Sequence, residues 1–168
     1  MSMTAAILQE VETEAKTTRR VLERVPQDKL TWKPHPKSMS LGYLAFHIAG
    51  SPGVIAGWAA DGVTEFKGEK VPDPTSVQEI LDAHDKSMQT VKATLGKLGD
   101  EGLMKGWEAK MNGATMMSMP RAALVRAILL NHWYHHRGQL SVYLRLLDVP
   151  VPSIYGPSAD ENPWAARV

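Results

Sequence analysis

The chain has 168 residues, with 19 Lys and Arg against 18 Asp and Glu for a formal charge of +1, and 43% of its residues are hydrophobic. That length suits a single domain spanning 1–168, the apolar share excludes a disordered chain, and the charge balance argues against nucleic acid as a partner. Cysteine is absent, which removes disulfides, thiolate metal ligands and a cysteine nucleophile, and suits a reducing cytoplasm.

Met1 to Glu14 lacks a basic start followed by an apolar run, so no signal peptide is expected. From Ile7 the apolar positions Leu8, Val11, Ala15, Thr18, Leu22 and Val25 follow steps of three and four, the stripe of an amphipathic helix that Pro26 ends. The connection to Ser40 is turn material and includes Pro34-His35-Pro36. Ser40 is placed to cap a second helix from Leu41, where Leu44, His47, Ser51, Ile55 and Trp58 share a face and Gly50 and Pro52 are expected to kink or interrupt it. Ser38 to Ala60 carries no formal charge, and Gly53 and Gly57 form a GxxxG, so the stretch has the length of a membrane span. Its His47, Ser51, Pro52 and four glycines favour instead a buried helix of a soluble bundle, with no membrane partner.

A loop from Asp61-Gly62 runs through Val71-Pro72-Asp73-Pro74 to Thr75 or Ser76, either of which can cap a third helix. The stripe of that helix is Val77, Ile80, Leu81, His84, Met88, Val91, Leu95 and Leu98. Gly99 to Met119 reads as a connection rich in glycine and methionine, with weak strand-like alternation at Trp107 to Met111. Pro120 suits the first turn of a final helix reaching about Leu147, on which Val125, Leu129, His132, His136, Leu140 and Tyr143 lie near one face. Val149-Pro150-Val151-Pro152 ends it and begins an extended tail from about residue 148. Four amphipathic helices with no long strand, no repeat and no low-complexity segment read as an all-α four-helix bundle.

Four of the six histidines, His47, His84, His132 and His136, fall on or near expected buried faces. His132 and His136, four residues apart, project about 40° from each other around a helix, so two imidazoles can address one ion. His135 is rotated about 100° from His136, so a third ligand must come from another helix. Periodicity leaves His47 and His84 open for that role, and a buried histidine is also an ordinary hydrogen-bonded core residue.

The run His132 to Leu140, H-W-Y-H-H-R-G-Q-L, resembles the HxxxHRGQ signature of the DinB/YfiT-like superfamily. The segment S-L-G-Y-L-A-F-H-I-A is similar to that family's helix bearing its first histidine, and T-W-K-P-H-P-K-S-M-S-L-G resembles its usual entry. The tail V-P-S-I-Y-G-P-S-A-D-E is similar to an ending in one branch, so the likeness spans about Leu30 to Glu161. It implies a four-helix bundle holding a divalent ion through His47, His132 and His136, with His84 a core or pocket-lining residue, His135 packing or pocket edge, and His35 in a loop. It also implies a homodimer, which the long uncharged second helix supports through its apolar surface.

Three imidazoles leave a coordination position open, the arrangement of catalytic sites, and zinc, nickel and iron all accept such ligands. Superfamily members include transferases that use a low-molecular-weight thiol, so the expected function is thiol transfer onto a small electrophile, a small-molecule substrate. A hydrolase using metal-activated water and a non-catalytic metal-binding dimer are the alternatives. Ligating histidines donate their second N–H, and Pro120 to Leu147 contains no acid, so Glu12, Glu14, Asp82 and Asp85 are candidate acceptors on other helices. Arg137 is expected either to bind an anionic substrate group or to pair with another helix. Tyr143, Trp58 and Met88 are candidates for pocket walls or for core.

Overall fold

The computed structural model describes residues 2–68 and 71–165. Helix α1, Met3–Leu22, begins at Ser2, whose Oγ accepts from Ala5 N at 3.1 Å. It runs antiparallel to α3, Val77–Met104. At one end Thr4 N and Oγ1 donate to Asp100 Oδ1 at 2.8 and 2.6 Å, and at the other Arg19 pairs with Asp85. Ser76 caps α3 by accepting from Glu79 N, and Glu79 reaches back to Thr75 N at 2.9 Å, so the two polar ends satisfy each other. Gly99 takes φ 58°, ψ −176° inside α3, and the chain resumes helical geometry as far as Met104, beyond the expected end.

Helix α2, Leu41–Asp61, is capped by Ser40, whose Oγ accepts from Tyr43 N at 3.1 Å. Of the kink or interruption expected at Gly50 and Pro52, the interruption does not occur, because the helix runs on through Pro52. Ser87 of α3 lies against this turn, where its Oγ accepts from Gly53 N at 2.7 Å and donates to Gly50 O at 3.4 Å. A side chain from the neighbouring helix thus ties to backbone groups on either side of Pro52. Gly53 also permits the approach itself, because a Cβ there would stand 3.0 Å from Ser87 Cα. No helix among the described residues is long and apolar enough to cross a membrane.

The expectation of a purely helical chain is corrected by a small sheet. Strands β1, Val63–Glu65, and β2, Gly106–Met111, pair in parallel, and β2 pairs antiparallel with β3, Ala114–Pro120. The β2–β3 turn is Asn112-Gly113, both at positive φ, a two-residue hairpin whose Asn-Gly signal lies in the sequence. Alternation on β2 buries Trp107 and Ala109, and Trp107 Nε1 donates to Thr64 Oγ1 at 3.0 Å. Strand β3 is exposed along nearly its whole length, so its methionines show no periodicity to read.

After Pro120 the helical path consists of α4, Arg121–Leu124, a π-helical segment, Val125–Asn131, and α5, His132–Leu146. The π segment was not foreseen, because wider turns leave apolar positions still near one face. Core side chains from every helix, among them Leu22, Leu44, Ile48, Ile80, Leu95, Leu129, Trp133 and Leu140, form one cluster. The tail folds back over α1 and α5. Asp160 pairs with Arg145 and accepts from Val151 N, while Glu161 pairs with Arg20.

Candidate metal centre

Helices α2 and α5 cross where His47 faces His132 and His136. The two α5 histidines are one turn apart, and their Nε2 atoms lie 3.0 Å from each other. His47 Nε2 is 3.3 Å from His132 Nε2, and all three ligand atoms lie within 4.8 Å of one another. His136 is buried, whereas His47 and His132 are half-buried. His84, the competing third histidine, is not part of this cluster, and His135 and His35 are exposed.

The donor set fits a divalent ion. Gln139 Oε1 can only accept, so its 2.7 Å contact makes His136 Nδ1 the donor and leaves His136 Nε2 with a free lone pair. His132 Nδ1 is buried without a partner. A proton on Nδ1 of neutral His132 sets two Nε2 lone pairs against each other, and a proton on Nε2 leaves a bare buried Nδ1. A cation receiving the lone pairs removes that repulsion. Two nitrogens bound tetrahedrally about 2.0–2.1 Å from one zinc ion stand about 3.3 Å apart, close to both observed separations. Burial, reinforced by the neighbouring histidines His136 and His132, lowers the pKa of His47 to about 4. Burial likewise lowers His132 and His136, so all three rings are neutral at physiological pH, the form that ligates.

A cavity of ≈ 330 Å³ opens on the centre, with His47 and His132 in its lining. Its walls are mainly apolar, including Phe46, Ile55, Trp58 and Ile128, and its other polar side chains are Tyr43 and Ser51. Tyr43 stacks on His47 with ring centroids 6.4 Å apart. Of the three expected wall residues, Trp58 lines this cavity, Met88 lines a different one, and Tyr143 packs edge-on against Trp32.

The expected carboxylate acceptors serve elsewhere. Glu14 Oε2 lies 2.6 Å from Arg137, Asp82 accepts from Gln78, Asp85 pairs with Arg19, and Glu12 lines a separate cavity. The acceptor is instead Gln139, three residues after His136 on the same helix; its position in the HRGQ run was the available signal. Arg137 faces away from the centre, buried to 1% exposure. Besides Glu14 it donates to Thr18 Oγ1 at 3.0 Å and to Tyr155 Oη at 2.6 Å, joining α5 to α1 and the tail. Of its two expected roles, the structure supports pairing with another helix.

Fold and centre together define a helical bundle with a three-histidine cluster at the crossing of two helices. The DinB family model matches residues 1–165, and the chain belongs to the DinB family. It is 32% identical over 155 residues to the uncharacterized protein YrdA of Bacillus subtilis (strain 168), covering 92% of this chain and 87% of that one. Crystal structures of similar fold include the DinB-like protein YjoA of Bacillus subtilis, at TM-score 0.71 and 22% identity over 89% of this chain and 96% of that one. A DinB-like protein of Bacillus cereus ATCC 10987 also gives TM-score 0.71, at 27% identity over 89% of this chain and 95% of that one.

Proposed function

We propose that the protein is a divalent-metal-dependent transferase that joins a low-molecular-weight thiol to a small electrophile, with His47, His132 and His136 as the metal ligands. Zinc, nickel and iron all suit three imidazole nitrogens. The observation that carries this reading is the convergence of three Nε2 atoms beside a cavity with no carboxylate or amine among its described lining residues. When bound, the ion supplies Lewis acidity that favours the thiolate form of a thiol near neutral pH.

The protein's own residues account for the remainder. Three neutral ligands leave the charge of the ion undiminished, and Gln139 fixes the tautomer of His136. Phe46, Ile55, Trp58 and Ile128 give the cavity an apolar wall that favours an apolar electrophile. Hydrolysis needs a group that manages protons on water and leaving group, and the cavity offers only Tyr43 and Ser51 besides histidines. A thiolate, once formed, attacks without a base. A cytoplasmic location, proposed from the cysteine-free composition, would supply the thiol. A homodimer also belongs to this proposal, but through a face other than the apolar side of α2, because Leu44, Ala45, Ile48, Ile55 and Ala59 are already buried within the chain.

The test is metal analysis of the purified protein and of four alanine variants, joined to an assay of thiol consumption with an apolar epoxide or alkyl halide. Metal is expected to be lost from His47→Ala, His132→Ala and His136→Ala and retained in His84→Ala, with thiol consumed only by metal-loaded protein. Ester cleavage without thiol would replace this reading with a hydrolase. Bound metal with neither activity would replace it with a non-catalytic metal-binding bundle.

A further inference from the structure

The cavity beside the metal centre is a trough laid along one helix. Tyr43, His47, Ser51, Ile55 and Trp58 follow one another on α2 at steps of four and then three, and all five line it. That stripe covers four turns, about 22 Å of helix. Ile128 and His132, from the last helical path, form the facing wall. A volume of ≈ 330 Å³ drawn out over such a length is slender, with room for one extended chain and none for a fused ring system.

Polarity is graded along the same stripe. Tyr43 and Ser51 stand one turn to either side of His47, so the hydroxyl groups gather at the metal end. Beyond Ser51 the α2 side chains on the trough are Val54, Ile55 and Trp58. Trp58 is the last of them, and residues outside the trough brace it, with Phe66 edge-on at 5.1 Å and Trp107 stacked at 6.4 Å between ring centroids. Gly50 lines the trough between the two ends, and a Cβ there would meet nothing within 4 Å. The missing side chain leaves space that a larger residue would fill.

We propose that the trough takes an unbranched alkyl chain, its polar, reactive head beside the metal ligands and its tail running past Gly50 to Trp58, which sets the length accepted. The electrophile of the transfer reaction is then a linear aliphatic molecule. That chemistry at the head rests on the transferase reading above, whereas the seat of the chain rests on the trough. From His47 to Trp58 is about 16 Å of helix, the reach of a chain of roughly ten to twelve carbons.

Calorimetry with 1-hexanol, 1-octanol, 1-decanol and 1-adamantanol, a cage of the same ten carbons as decanol, tests the seat without thiol or turnover. Affinity is expected to rise about tenfold with each added pair of methylenes, and decanol to bind at least tenfold more tightly than adamantanol. Gly50→Leu should weaken decanol at least tenfold by filling the trough, and Gly57→Leu, whose added side chain also meets open space but lies off the trough, should change nothing. Circular dichroism establishes which variants fold, and Ile128→Trp, which narrows the trough from the facing wall, serves if Gly50→Leu does not. On zinc-loaded protein, decanohydroxamate should bind at least tenfold more tightly than 1-decanol, because its head chelates the ion while its tail keeps the trough. A flat length series, adamantanol equal to decanol, or decanol binding untouched by a folded filling variant would overturn the proposal. Equal affinity of decanohydroxamate and decanol would overturn the orientation. A steep length series in a protein without thiol transfer would uphold the alkyl seat and remove the transferase, and thiol transfer with a flat series would do the reverse.

Discussion

Gln139 holds the His136 ring by one hydrogen bond, Nδ1 to Oε1 at 2.7 Å, although it sits on an exposed position of α5. Gln139→Leu is expected to lower metal affinity roughly 10- to 100-fold, because the ring loses both its tautomer lock and its orientation. Gln139→Glu should keep most of it, and chelator competition measures both; equal affinity in Gln139→Leu would remove Gln139 from the centre. The histidines also set a pH dependence in the metal-free protein. His47 stays neutral in the folded chain down to about 4, while its ordinary value is 6.5. Between those values the unfolded chain binds more protons, so stability is full above 6.5 and falls as pH drops toward 4. Urea unfolding at pH 7.5, 6 and 5 should show the decline, and His47→Phe should flatten it. A decline as pH rises through that window would contradict the sign.

At the scale of elements, Arg137 fastens three segments at once. Its guanidinium lies against Glu14 and Thr18 of α1 and Tyr155 of the tail, and it stacks over the Tyr134 ring at 5.3 Å. Arg137→Met takes the guanidinium from the Glu14 carboxylate, which is only 13% exposed and is left with the Tyr155 Oη donor at 3.1 Å, and should cost about 3–5 kcal/mol in denaturant unfolding. Replacing Glu14 with leucine as well should recover part of that, because the pair is then removed together. The α2–α3 contact makes a separate prediction. Gly53→Ala forces a Cβ to 3.0 Å from Ser87 and should destabilise by about 1–3 kcal/mol. Gly57→Ala meets nothing within 4 Å and should be neutral or stabilising by up to about 1 kcal/mol. Equal melting shifts for the two variants would show that the helices do not approach through Gly53.

For the whole molecule, an ion bound only by the folded state raises its stability by mass action, about 2.7 kcal/mol at a hundredfold excess over Kd. Zinc or nickel should therefore raise Tm and a chelator reverse it, with no shift in the triple alanine variant of His47, His132 and His136. The proposed homodimer is checked by light scattering at micromolar concentration, where a monomer mass would exclude it. Its interface must lie outside the apolar face of α2. Exposed apolar surface remains at Met104, Met116 and Met117, beside and on the small sheet.

The helices were legible because apolar spacing and caps are local. Ser40 and Ser76 cap α2 and α3 where the sequence places them, and the four-residue offset of His132 and His136 becomes one turn of α5. The sheet was partly legible: Trp107 to Met111 alternates and Asn112-Gly113 marks a hairpin, but β3 buries almost nothing and so shows no pattern. Composition alone set the ligands open to a metal ion as neutral histidine nitrogens with no thiolate. Packing selected which histidines converge, because whether His47 or His84 meets the α5 pair depends on how α2 and α3 lie against that helix. It likewise turned Arg137 toward α1, gave Gln139 rather than an acid to His136, and set His84 apart from the centre. Each of these outcomes depends on distances between segments far apart in the chain, which helical periodicity does not encode.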